Sequence, residues 1–147
     1  MKQPVAARAR GLTAAGYSGT PLAQKLTLKD GMAVWAPGLP PAIRKEIESG
    51  GFALRWLRGA RPGLDAAHVF VTRAADLAAH LKALRTRLDP AGMVWVSWPK
   101  KASGVTTDIT EDRIRDLALP LGFVDIKVCA VDATWSGLKL VVRRALR

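Results

Sequence analysis

Two adjacent lysines, Lys100 and Lys101, end the apolar run in "VWVSWPKKASG" (residues 94–104), with a hydroxyl at Ser103 and a turn residue at Gly104 just beyond. Cations beside a hydroxyl are the groups that hold a phosphate or carboxylate, because hydrogen bonds to an ionised partner are roughly twice as strong as neutral ones. A solvated basic loop at the end of a strand has the same composition. Residue types alone leave both readings open.

Little else in the chain could carry a reaction. His68 falls inside the apolar run "AAHVFV" and His80 beside a stripe of leucines, so both read as structural. Cys129 is the single cysteine, and with two histidines set far apart the ligand spacing of a zinc site is missing. No sequence pattern around Cys129 activates a thiol. Neither a Gly-x-Ser-x-Gly elbow nor a phosphate-binding P-loop occurs.

Charge is the most pronounced bulk property. Twenty-three Lys and Arg against twelve Asp and Glu give a formal net charge of +11, and the first carboxylate is Asp30. Such a field draws polyanions, including nucleic acid, without conferring specificity. The 147 residues, 49% hydrophobic and 24% charged, suit one globular domain. Residues 1–15 read as a flexible basic arm and 16–147 as a single α/β domain. No apolar run approaches the roughly 20 residues that a membrane-spanning helix needs, so no membrane partner is expected. A lone cysteine requires no oxidising compartment, and the cytoplasm is the expected location.

The elements that would position the lysines alternate in type. "GTPLAQKL" predicts a short helix, with Thr20 as cap and Pro21 in the first helical position. "MAVW" predicts a strand, "PPAIRKEIESGG" a helix, "FALRW" a second strand and "AAHVFV" a central one. Leu77, Leu81, Leu84 and Leu88 form one helical stripe. "VWVSW" is the next strand, and Asp108 with Glu111 has capping-box spacing before another helix. Val124, Ile126, Val128 and Ala130, then Leu138, Leu140 and Val142, alternate with polar residues as two final strands. Their short connection predicts an antiparallel pair.

The expected fold is therefore a three-layer α/β arrangement: a mostly parallel open sheet, helices on both faces, and an antiparallel pair of C-terminal strands. From Met32 onward this order resembles a shortened class I methyltransferase. The resemblance implies a Gly-rich loop after the first strand, a carboxylate after the second, and S-adenosylmethionine as cofactor. This chain departs from that pattern. Its first loop, "AVWAPGLPP", has one glycine among three prolines, and "RWLRGARPG" offers Arg55, Arg58 and Arg61 in place of a carboxylate. Beyond "HVFV", "TRAAD" lacks the Asn/Asp-Pro-Pro-aromatic group. S-adenosylmethionine remains possible, and no cofactor is expected.

Three segments, "GYSGTPLAQKLTLKDGM", "VWVSWPKKASGVTTDITED" and "KVCAVDATWSGLKLVVRR", resemble a family of small bacterial proteins known only as a domain of unknown function. The resemblance transfers no reaction, but it directs attention to a constellation. Lys100, Lys101 and Ser103 follow one strand. Asp132, Trp135 and Ser136 lie between the last two strands, with Lys139 in the strand that follows. Tyr17, Ser18 and Thr20 precede the first short helix, whose N-terminus would offer free N–H groups. If the loops rise on one sheet edge, they form a site for an anionic group. Otherwise Asp132 pairs with a neighbouring lysine and Trp135 covers the sheet. Trp35, Trp95 and Trp98 are expected in the core, while Trp56 and Trp135 are placed to stack on a ring or base. The leading expectation is a non-enzymatic or relic module binding a phosphate- or carboxylate-bearing ligand. A divergent S-adenosylmethionine-dependent methyltransferase and a basic nucleic-acid-binding protein are the alternatives.

Overall fold

In the computed structural model, which describes residues 19–147, six strands form one sheet in the order β2-β1-β3-β4-β6-β5. In chain order these are β1 (Ala33–Trp35), β2 (Arg55–Leu57), β3 (Leu64–Phe70), β4 (Leu88–Pro99), β5 (Phe123–Ala130) and β6 (Trp135–Val142). The first four are mutually parallel, and β6 runs antiparallel between β4 and β5. The helices are α1 (Leu22–Lys25), α2 (Pro41–Glu48), α3 (Ala74–Arg87) and α4 (Glu111–Ala118). The mixed α/β fold read from the sequence is the one adopted. The basic arm expected over residues 1–15, and Tyr17 and Ser18, lie outside the described residues.

Alternation along β4 makes two cores. Val94, Val96 and Trp98 face α3 and α4, together with Val69, Leu77 and Leu81. Met93 and Trp95 face α1 and α2, together with Leu26, Ile43, Ile47 and Phe70. Burying strands on both faces is what makes β3 and β4 read as continuous apolar runs. Trp95 and Trp98 are buried as expected, and Trp35 is half-buried, edge-on to His80 at 5.4 Å.

Several local expectations change. Leu88 is the first residue of β4, not the last of the leucine stripe; its ψ of 136° is extended. Pro21 occupies the N-cap of α1, with no side-chain cap bond. Thr110, not Asp108, caps α4, its Oγ1 accepting from Arg113 N at 3.1 Å. Pro99 does not end the ladder: it still pairs with Trp135, beyond the point where β3 stops pairing. On β5 the alternation does not mark a buried face. Ile126 and Val128 are exposed because β5 is the outermost strand and carries an irregularity between Asp125 and Lys127.

The connection from β2 to β3 is the other departure. Parallel strands usually need a crossover of a dozen residues or more. Here residues 58–63 suffice, because β2 is only three residues long and the chain has little distance to recover. Arg87 pins this loop, its Nη1 donating to Ala60 O at 2.9 Å and its carbonyl accepting from Gly63 N at 3.1 Å.

Candidate functional site

In an open α/β sheet, ligands bind beyond the carboxyl ends of the strands, where the winding direction reverses. That point lies between β1, which leads outward through α2 to β2, and β3, which leads the other way through α3 to β4. A loop of the chain itself lies against this position. Pro37 O accepts from Phe70 N at 3.1 Å, laying the loop after β1 on the end of β3. Gly38, at φ +77°, comes so close that an added Cβ would stand 2.7 Å from Phe70 O. Here glycine admits a close approach between two backbones of the same chain.

The N-terminus of α3 is occupied in the same way. Asp108 Oδ1 accepts from Ala74 N at 2.7 Å, and Thr107 Oγ1 and Asp108 N both donate to Thr72 O, at 2.7 and 3.2 Å. A carboxylate at a helix N-terminus satisfies a free donor and opposes the positive end of the helix dipole. An external anion would find that place taken. Beneath the sheet, on the α1/α2 side, a void of about 10 Å³ beside His68, Trp95 and Leu26 has room for about one water. His68 lines it, fully buried, with Nε2 2.6 Å from Ser97 Oγ and its ring stacked 4.2 Å from Phe70. Burial pushes its pKa down to about 3, so it is neutral and structural.

The two loops singled out by sequence do meet. Lys100 N donates to Thr134 O at 2.7 Å, extending the β4–β6 ladder past Pro99 and Trp135. Most of their side chains are spent on local structure. Ser103 Oγ donates to Lys100 O at 2.6 Å and accepts from Val105 N, closing the 3-10 turn Lys101–Ser103. Asp132 Oδ1 accepts from Thr134 N and Trp135 N, at 2.8 and 2.7 Å, and so shapes the β5–β6 turn, with no ion pair to a lysine among the described residues. Trp135 stands edge-on to Phe70 at 5.2 Å and packs onto the α1/α2 core. Ser136 sits in the ladder between Trp98 and Ala130. Next to it, Gly137 leaves room for the Trp95 ring, which an added Cβ would approach to 3.3 Å.

Lys100, half-buried, and Lys101, exposed, have no ion-pair partner among the described residues. They are the chemically available part of the constellation. Thr20 is exposed at the start of the described chain, and a four-residue α1 offers no helix-terminal anion site, two of its leading N–H groups going to Pro21 O. Lys139 stands apart. Its register partner is Trp95, four residues before Pro99, and its Nζ donates to Thr27 Oγ1 at 2.9 Å. Trp56 is also engaged, with the Arg44 guanidinium 4.7 Å from its ring centre. Cys129 is half-buried, and burial outweighs the nearby Lys25 and Lys127 to push its thiol upward, away from reactivity.

Sequence reasoning missed Asp108 as the cap of α3, and it missed the lysines that accompany Lys139. Lys127 is its partner across β5 and β6, and Lys29 follows α1. Both relations run through tertiary placement, which local spacing does not carry.

No protein-family model and no curated protein sequence matches the chain. Solved structures do. A ribosomal protein L11 methylase from Lactobacillus delbrueckii subsp. bulgaricus is similar over 84% of this chain and 76% of its own, with a TM-score of 0.53 and 11% identity. Aeropyrum pernix fibrillarin, described with natively bound S-adenosyl-L-methionine, is similar over 83% of this chain and 69% of its own, at 0.52 and 13%. A TehB-like S-adenosylmethionine-dependent methyltransferase from Corynebacterium glutamicum covers 87% and 90%, at 0.52 and 9%. The chain thus has a methyltransferase-like fold. At these identities the likeness speaks for the fold alone.

Proposed function

We propose that the chain is a methyltransferase-fold module that binds a phosphate- or carboxylate-bearing ligand without transferring a methyl group. Lys100 and Lys101 are its contacts at the carboxyl end of β4. The observation that carries this reading is the seating of Pro37 and Gly38 on Phe70, which lays the loop after β1 across the sheet edge where open α/β folds bind ligands. Asp108 on α3 supports it by occupying the adjacent anion position. Ser103 and Asp132 act as positioning residues that hold the two turns in register.

The test is a titration with pyrophosphate, following backbone amide shifts by NMR. Shifts centred on residues 100–104 and 134 are expected, and they should vanish in Lys100→Ala/Lys101→Ala. Neither lysine ammonium has an ion-pair partner among the described residues, so stability should stay within about 0.5 kcal/mol of the parent. Shifts at residues 100–104 and 134 that persist in the double variant, or that never arise at low salt, would overturn the assignment.

The second reading, a divergent methyltransferase, is favoured by the fold comparisons, several of whose proteins are described as S-adenosylmethionine-dependent or bound to it. It requires the Pro37–Gly38 loop to lift from Phe70. A cofactor present at 100 times its Kd would stabilise the chain by about 2.7 kcal/mol. For a domain of this size that is a rise in Tm on the order of 5–10 °C. An unchanged Tm at millimolar S-adenosylmethionine removes this reading; a rise of that size replaces the first with it.

A further inference from the structure

Two like charges face each other on the α1/α2 side of the sheet. Lys127 of β5 and Lys139 of β6 are direct register partners, and their side chains share a face. Like charges directly opposite across a ladder are destabilising. Lys29, just past α1, is a third cation close enough to act on Lys139. None of the three has an ion-pair partner among the described residues. Of the local carboxylates, Glu46 has Asp132 and Lys25 as its charged neighbours, and neither Glu46 nor Asp132 is among the groups that act on Lys139.

The backbone at this place is strained. Thr27 has φ +57°, the one non-glycine positive φ among the described residues, and a β-branched residue in that region is an outlier. It is held there by design of its neighbours: Oγ1 donates to Leu26 O at 2.6 Å and accepts from Lys139 Nζ at 2.9 Å, while Trp95 Nε1 donates to Leu26 O at 2.9 Å. Strained residues that the surroundings over-determine cluster at ligand sites. Thr27 fixes one of the three donors of the Lys139 ammonium and leaves two for a ligand. Burial, then Lys127 and Lys29, push the Lys139 pKa downward, with no carboxylate acting the other way.

We propose that Lys29, Lys127 and Lys139, held by Thr27, form a phosphate-binding site on the sheet face beside α1, separate from the Lys100–Lys101 turn. The missing counter-charge is the ligand's: a free di- or polyphosphate, or the phosphodiester backbone of a nucleic acid. The site goes beyond the function proposed above and is independent of it, since the two tests read different lysines.

Lys29 and Lys127 are exposed, and removing Lys127 relieves the repulsion across the ladder, so Lys29→Gln/Lys127→Gln should fold and melt no lower than the parent. Pyrophosphate titration followed at the Thr27, Lys127 and Lys139 amides should show at least a tenfold loss of affinity in that variant, and none in Lys100→Ala/Lys101→Ala. A short single-stranded thymidine oligonucleotide, titrated across a salt series, distinguishes the source. If a nucleic-acid backbone is the ligand, the log–log salt slope should fall by about 1.4, at about 0.7 for each lysine removed. An unchanged slope with weakened pyrophosphate binding identifies a free phosphate compound instead. Equal pyrophosphate affinity and an equal salt slope in parent and variant would overturn the site.

Discussion

Acid should unfold this protein earlier than its carboxylates alone require, through His68. The imidazole is fully buried, its Nε2 lies 2.6 Å from Ser97 Oγ, and its pKa is pushed to about 3 from an ordinary 6.5. The folded state therefore keeps it neutral, while the unfolded chain protonates it below about pH 6.5. Stability is fully present above the unfolded value and declines as pH falls toward the folded one. With 1.36 kcal/mol per pH unit, this one group lowers stability by about 2 kcal/mol at pH 5 relative to pH 8. Urea midpoints at the two pH values, for the parent and for His68→Gln, isolate it from the other titrating groups. The parent should lose about 2 kcal/mol more than the variant over that interval, whatever the variant's absolute stability. An equal loss in both proteins, or a His68 resonance titrating with a midpoint near 6.5, would refute the argument.

Three further substitutions test the contacts at this sheet edge. Gly38→Ala carries both the positive-φ penalty, about 1–2 kcal/mol, and a contact 2.7 Å from Phe70 O, whereas Gly31→Ala, at φ +82° with open space around it, carries only the first. Denaturant unfolding should therefore find Gly38→Ala more destabilising than Gly31→Ala, and equal losses would mean the loop does not rest on β3. Asp108→Ala should cost about 0.5–2 kcal/mol as a lost helix cap, and hydrogen exchange should place the loss at the first turn of α3, not at α4.

How much of this was legible depended on the range of the interaction. The layered fold was, because β3 and β4 are buried on both faces and α3 repeats Leu77, Leu81 and Leu84 on one stripe. Leu88 continued the stripe in spacing but not in backbone, since the helix stops at Arg87. The Asp108–Glu111 spacing imitates a capping box, yet the Asp108 carboxylate reaches 34 residues back to Ala74, and the true cap, Thr110, follows it by two. Of the candidate site, strand direction allowed the two loops to share one sheet edge but left open whether they meet, which the Lys100–Thr134 backbone bond answers. That Ser103 and Asp132 would turn inward to their own backbones was not readable, nor that Lys139 would face Lys127, which depends on a one-residue irregularity at Ile126.

That irregularity also bears on how the molecule behaves in company. The outer rim of β5 carries Ile126 and Val128 in the open, and such a rim is a template for a strand from another molecule. A bulge bends the strand and breaks the even run of free backbone groups, and Lys127 beside it adds charge. Growth of the sheet into a neighbouring molecule is discouraged at this edge by one inserted residue.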